Sequence, residues 1–341
     1  MISGTQYFLD ETETAPSFYD VSAVAELWFQ PGPSLELHEN LPPLPTSEHT
    51  RLFERPDWLA AQGLLSGDLA AAALVQGRLA ERMARAGEGA RLRLALEDVV
   101  DLGWLTGARF GAERLALFVA LRAAAGEEGQ ALGQAAWVVR RLTSGAEPGA
   151  VGWSTGLPAF LGFDGEAILT LAEVMADTEA LHPLTRAALL LHGWRLAGEV
   201  RLAHYLEVAA LAERHGSLGA PFLPLGLAGG AALRGHGSPE ARLAAFYRGA
   251  EQVGLAALRL VDRVKAWQWR AEAACSGLSG KTPRELIEVF ARWPMVSAAM
   301  VEAQTQASRA AVQRNLDLLV ARKRLREITG QGRYRIWTAA L

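Results

Sequence analysis

From Asp57 to Cys275 the chain repeats its apolar residues at three- and four-residue spacing and closes nearly every such run with glycine, while strand-like alternation is scarce. This pattern constrains the fold before anything else does, because a helix with one apolar stripe must bury it against other helices. The runs are Leu69–Arg85 before Gly87, Leu92–Leu105, Glu113–Ala125, Ala131–Leu142, Glu166–Thr178, Leu184–Ala197 and Val200–Arg214. Ser238-Pro239-Glu240 then opens a long helix to about Cys275, with proline in the first turn, where its missing N–H costs nothing. Gly216–Gly237, rich in glycine and proline, reads as a connector with at most a short apolar helix, flexible over Gly226–Gly235. Together these segments predict a mainly α fold, with an orthogonal helical body over residues 57–275. Upstream, Pro31, Pro33, Pro42, Pro43, Pro45 and Pro56 break any long helix, so residues 1–56 read as an irregular Pro-rich arm.

Charge separates the C-terminal sixty-one residues from the rest. Lys281–Leu341 carries eleven Lys/Arg against five Asp/Glu; with −3 for the whole chain, residues 1–280 hold about −9. A basic end on an acidic body points to a polyanion partner. Ser276–Lys281 reads as the linker, and residues 282–341 as a winged helix-turn-helix with a small β-hairpin wing.

The order of elements carries that reading. Thr282-Pro283-Arg284-Glu285 has the form of a capping box, and the helix it opens turns Leu286, Ile287, Val289 and Phe290 inward before stopping at Trp293-Pro294. A second helix starts at Ser297, with Val296 and Val301 placed as a hydrophobic staple. After a turn at Thr305–Ala307, Ser308 caps a third helix whose Val312, Leu316, Leu319 and Val320 form an apolar stripe. Leu325–Thr329 and Arg333–Thr338 are strand-like and joined by Gly330-Gln331-Gly332, a hairpin that Tyr334, Ile336 and Trp337 would anchor.

Opposite the stripe of the third helix lie Ala310, Gln313, Arg314 and Asp317, with Arg309 at its N-terminal tip. Arginine can donate to both guanine O6 and N7, glutamine can pair with adenine N6 and N7, and alanine leaves room for a thymine methyl. Ser308–Leu319 is therefore the expected recognition helix in the major groove of duplex DNA. Arg322, Lys323 and Arg324 at its end suit phosphates better than bases. Arg333 at the wing tip can reach a phosphate or the minor groove. With Ser297, Ser308 and Arg335, these residues complete the candidate DNA-contacting set.

Arg326-Glu327-Ile328-Thr329-Gly330-Gln331-Gly332-Arg333-Tyr334-Arg335-Ile336-Trp337, with Ser308-Arg309-Ala310-Ala311-Val312-Gln313-Arg314-Asn315-Leu316, resembles a rhizobial, often plasmid-borne family of unknown function that ends in a winged helix-turn-helix. Trp104-Leu105-Thr106-Gly107 resembles a Trp-Leu-Glu-Gly turn of the same family, with Thr106 in place of the glutamate. The resemblance implies DNA binding and no finer activity. Related motifs place glycine where this chain has Gln306 and Lys323; if the backbone there needs positive φ, each side chain costs about 1 kcal/mol. A fainter resemblance links Leu181–Leu189 and His192 to the helix before the active loop of Fic-type nucleotidyl transferases. That family's His-Pro-Phe-x-x-Gly-Asn-Gly-Arg loop does not follow, so an active transferase is not expected.

Other chemistry finds little support. His204 and Glu207 sit one turn apart near His192, Glu199, Glu213 and His215, a spacing that amphipathic helices also produce by chance, and no metal or other cofactor is expected. Gly226–Gly235 lacks the lysine and spacing of a phosphate loop. The lone Cys275 reads as a packed thiol and excludes an internal disulfide. With no apparent signal peptide or spanning stretch, the expectation is a cytoplasmic, non-enzymatic regulator of transcription or plasmid function, with duplex DNA as partner and no membrane. Its body would dimerise, bind a partner or sense a ligand. The alternatives are a catalytically degenerate Fic-like protein and a protein-interaction adaptor with an accessory winged helix.

Overall fold

A computed structural model describes residues 54–341 apart from 106, 122–128, 145–147, 150, 163–164, 197–204, 279 and 331–334. The periodic segments do form helices, and the fold is mainly α with a small antiparallel sheet near the C-terminus. In chain order the body contains α1 (Arg55–Leu64), α2 (Ser66–Leu105), α3 (Ala112–Leu121), α4 (Gly129–Thr143), α5 (Trp153–Leu161), α6 (Glu166–Met175), α7 (Pro183–Leu196), α8 (Tyr205–His215) and α9 (Pro239–Ala274). Residues 47–341 belong to one compact unit; the Pro-rich arm expected over residues 1–56 lies outside the described residues up to residue 53.

Two helices escape the periodicity. α1 begins where the irregular arm is expected to end: Pro56 sits in its first turn, where it favours a helix start rather than breaking one. This helix brings Trp58 to full burial. α5 has Pro158 inside it and glycine at both flanks, a composition that reads as loop; yet Leu157, Phe160 and Leu161 are buried. Gly87 divides α2 where the sequence predicts a helix end: its φ of 77° and ψ of 176° are open to glycine and interrupt the helical hydrogen bonding.

The body is organised around α2 and α9, which pack along each other. Gln76 Nε2 donates to the Ala250 carbonyl at 2.9 Å, and Arg82 pairs with Asp262 further along. Leu94, Leu96, Val99 and Leu102 of α2 are fully or almost fully buried, as are Phe246, Tyr247 and Val253 of α9. No single helix among the described residues is long and apolar enough to cross a membrane.

The connector holds no more than short helical turns, as expected, but its Gly226–Gly235 part is packed rather than flexible, with Leu227, Ala232 and Leu233 buried. Phe222, Leu223, Leu225 and Leu233 are buried, and two short 3-10 turns, Leu227–Gly229 and Ala231–Arg234, press it onto the body. Its path is set by two carboxyl groups with no solvent exposure. Asp98 Oδ1 of α2 accepts from the Gly226 N–H at 2.8 Å and the Leu227 N–H at 3.3 Å; Glu213 Oε1 of α8 accepts from the Leu225 N–H at 3.0 Å. A Cβ at Gly226 would run into the Asp98 carbonyl, so glycine is required for this approach. The second oxygens, Asp98 Oδ2 and Glu213 Oε2, meet no N–H or hydroxyl donor among the described residues. A proton on either carboxyl would let it donate to the other. Burial pushes Asp98 up to about 7 against the hydrogen bonds it makes with Glu213, Gly226 and Leu227, and burial together with the charge of Asp98 raises Glu213 well above the usual carboxylate range.

The histidines and glutamates that cluster in sequence take separate partners. His192 Nδ1 faces Arg242 Nη1 at 3.1 Å, Glu213 serves the loop, and His215 packs edge-on against Trp153 with its pKa lowered to about 4 by burial. Glu199 and His204 lie outside the described residues.

Candidate nucleic-acid interface

The C-terminal module is built from α10 (Thr282–Arg292), β1 (Val296–Ser297), α11 (Ala298–Thr305), α12 (Arg309–Ala321), β2 (Leu325–Glu327) and β3 (Ile336–Ala339). The sheet order is β1-β3-β2, antiparallel throughout: Val296 stands opposite Trp337, and Leu325 opposite Ala339. This is a winged helix-turn-helix. β1 is not visible in the sequence, because two residues are too few to show alternation.

Local sequence explains most of its geometry. Ser297 Oγ accepts from the Met300 N–H at 3.2 Å and Ser308 Oγ from the Ala311 N–H at 3.3 Å, so both expected caps form. Val296 and Val301, the expected staple, are both fully buried. The capping box at Thr282 is a correction. No side chain caps that end of α10, because the Glu285 carboxylate turns to Lys281 Nζ at 3.0 Å instead of the backbone. α10 ends at Trp293, whose extended backbone (ψ 126°) is what the following Pro294 demands.

The turn between α11 and α12 and the turn after α12 both need the left-handed backbone that related motifs meet with glycine. Gln306 has φ 54° and Lys323 has φ 57°. Gln306→Gly and Lys323→Gly are each expected to raise unfolding free energy by about 0.5–1 kcal/mol, read from urea midpoints at constant slope. An unchanged or lowered midpoint in both would count against strain at these turns.

The module is joined to the body by side-chain donors on backbone carbonyls. Arg93 of α2, 3% exposed, sends Nη1 to the Phe290 carbonyl at 2.8 Å and the Trp293 carbonyl at 3.2 Å, the end of α10 that lacks intrahelical donors. Trp267 Nε1 of α9 donates to the Arg324 carbonyl at 2.7 Å. Arg322 donates to the Ala274 carbonyl at the end of α9.

These interactions sort the predicted site residues. Ser308, Arg309, Ala310 and Arg314 are exposed on α12, and Gln313 is half-buried beside them; Val312, Leu316 and Leu319 are buried on the opposite face. Among the described residues, neither Arg309 nor Arg314 has an ion-pair partner. Lys323 is also exposed. By contrast, Arg322 is occupied with α9, and Arg324 Nε donates to the Arg322 carbonyl at 2.9 Å. Arg335 bridges the hairpin: Nε and Nη2 hold Glu327 Oε2 at 2.8 and 2.7 Å, and its guanidinium lies 5.0 Å over the Trp337 ring. The arginine's hydrogen bond holds the Glu327 carboxyl below its usual range. Ser297, half-buried, is spent on its cap. Arg333, with Gln331, Gly332 and Tyr334 around the wing tip, lies outside the described residues.

Residues 283–339 match the family model of the HTH DNA binding domain. No curated protein matches the chain. The module the geometry displays is therefore a helix-turn-helix DNA-binding domain, and DNA is its partner.

Proposed function

We propose that the chain binds duplex DNA sequence-specifically and regulates transcription or a plasmid function. In this reading Ser308–Leu319 enters the major groove and the turn Gly330–Arg333 lies along the backbone or minor groove. The observation that carries it is the unpaired, exposed state of Arg309 and Arg314 on the N-terminal half of α12, opposite a fully buried stripe. Charged guanidinium groups on an exposed helix face, in no ion pair among the described residues, suit base edges and phosphates. Lys323 would add a phosphate contact, whereas Arg322, Arg324 and Arg335 would act by holding the module's shape. A single winged helix that touches few phosphates binds weakly, so two copies joined through the helical body are part of the proposal. No catalytic chemistry is assigned to that body.

The test is a titration of the full-length chain against random-sequence duplex and the corresponding single strand over a series of salt concentrations. Preference for duplex, with a log–log salt slope of several units, supports the reading. Equal, salt-insensitive binding to both, or none, would favour an adaptor that uses the module on protein.

A further inference from the structure

The exposed face of α12 is basic at its N-terminal end yet carries one carboxylate, Asp317, about a turn further along. A negative charge on a surface that approaches a polyanion is unfavourable unless it has a task. Among the described residues no cation pairs with Asp317. Its hydrogen-bond partner is Gln313, whose Nε2 donates to Asp317 Oδ1 at 2.8 Å across one helical turn. The other amide nearby, Asn315, is half-buried and turned back along the helix, its Nδ2 donating to the Ala311 carbonyl at 2.8 Å.

Resting on the proposed reading of α12 as the recognition helix, we infer that Asp317 is a positioning residue that fixes the Gln313 amide for adenine. An ionised carboxylate only accepts hydrogen bonds, so the end of the amide turned to Asp317 must be the nitrogen. The amide's carbonyl oxygen and its second N–H then share the remaining edge. That edge pairs one acceptor with one donor, complementary to the N6–H and N7 of adenine in the major groove. A glutamine left free would rotate among rotamers and present either end; tethered to Asp317, it presents one. Asp317 thereby contributes to base choice while its charge weakens overall attraction to the phosphates.

The two effects separate experimentally. Full-length wild type, Gln313→Ala, Asp317→Ala and Asp317→Asn are each used to select from a randomised duplex library, and their affinity for unselected duplex is measured at fixed salt. Gln313→Ala should erase an adenine preference at one position. Asp317→Ala should weaken that same preference on the order of ten-fold while affinity for unselected duplex holds or rises. Asp317→Asn keeps an acceptor and should retain part of the preference. The inference is overturned if Asp317→Ala leaves that position at the wild-type level. It is also overturned if Asp317→Ala alters a different position, which would make the carboxylate a reader in its own right, accepting from cytosine N4. A wild type that binds duplex but selects no sequence overturns it as well. A wild type with no salt-dependent duplex binding overturns the recognition-helix reading itself, a failure visible before any variant is made.

Discussion

Arg93→Ala is expected to destabilise the protein by about 3 kcal/mol or more, because it leaves two buried carbonyls without donors and a guanidinium-sized void behind them. The loss should not be spread evenly. Phe290 and Trp293 sit at the end of α10, so amide exchange should rise first in that helix and its neighbours in the winged module, ahead of α2 and α9. Arg93→Lys should fall between the two, since an ammonium can still donate but ends on a differently shaped stem from the one that places Nη1 between both carbonyls. Urea unfolding gives the magnitude and hydrogen exchange gives the location. An Arg93→Ala protein within about 0.5 kcal/mol of wild type would mean that the module is not held through this residue.

The second large effect is on pH dependence. The Asp98–Glu213 pair keeps a proton in the folded protein that the unfolded chain has already released above the ordinary carboxylate range. The folded state thus binds more protons from about pH 4 upward, with Asp98 giving up its proton only near 7 and Glu213 raised as well, so the pair makes stability fall as pH rises through that range. Glu213→Gln replaces the shared proton with a fixed amide N–H that can donate to Asp98, while its carbonyl still accepts from Leu225. The variant should match wild type near pH 5 and lose less stability than wild type as pH is raised to 8, because the raised Glu213 no longer titrates. Asp98→Ala, which orphans the Gly226 and Leu227 amides, should be destabilised at every pH. If Glu213→Gln and wild type show parallel pH profiles, the two carboxyls do not share a proton.

Much of the recognition module is legible in the sequence because its signals are local. Caps at Ser297 and Ser308, the staple of Val296 and Val301, and the stripe Val312–Leu316–Leu319 each depend on residues within about two turns. The positive φ at Gln306 and Lys323 can be anticipated only because related motifs carry glycine there. What sequence does not show is long-range. Nothing in the spacing around Arg93 says that its guanidinium ends under α10, nor that Asp98 and Glu213 converge on residues 225–227. The Gly/Pro-rich stretch reads as flexible because composition reports backbone freedom in isolation, whereas its leucines and Phe222 have a core to enter. Arg322 and Arg335 illustrate the same limit: identical in sequence character to Arg309 and Arg314, they are drawn inward by a helix-end carbonyl and by Glu327.

On the proposed reading, Arg309 and Arg314 present the DNA-binding face. The measurement that tests it most directly compares the salt dependence of duplex binding by full-length wild type and by the Arg309→Ala/Arg314→Ala double variant. Both side chains are exposed and without ion-pair partners among the described residues, so the variant should unfold at the same urea concentration as wild type. The double variant should bind more weakly, with a log–log slope shallower by up to about two units, close to one for each phosphate that an arginine no longer neutralises. A double variant with wild-type affinity and slope would contradict that reading, and would place any DNA-binding surface elsewhere on the molecule.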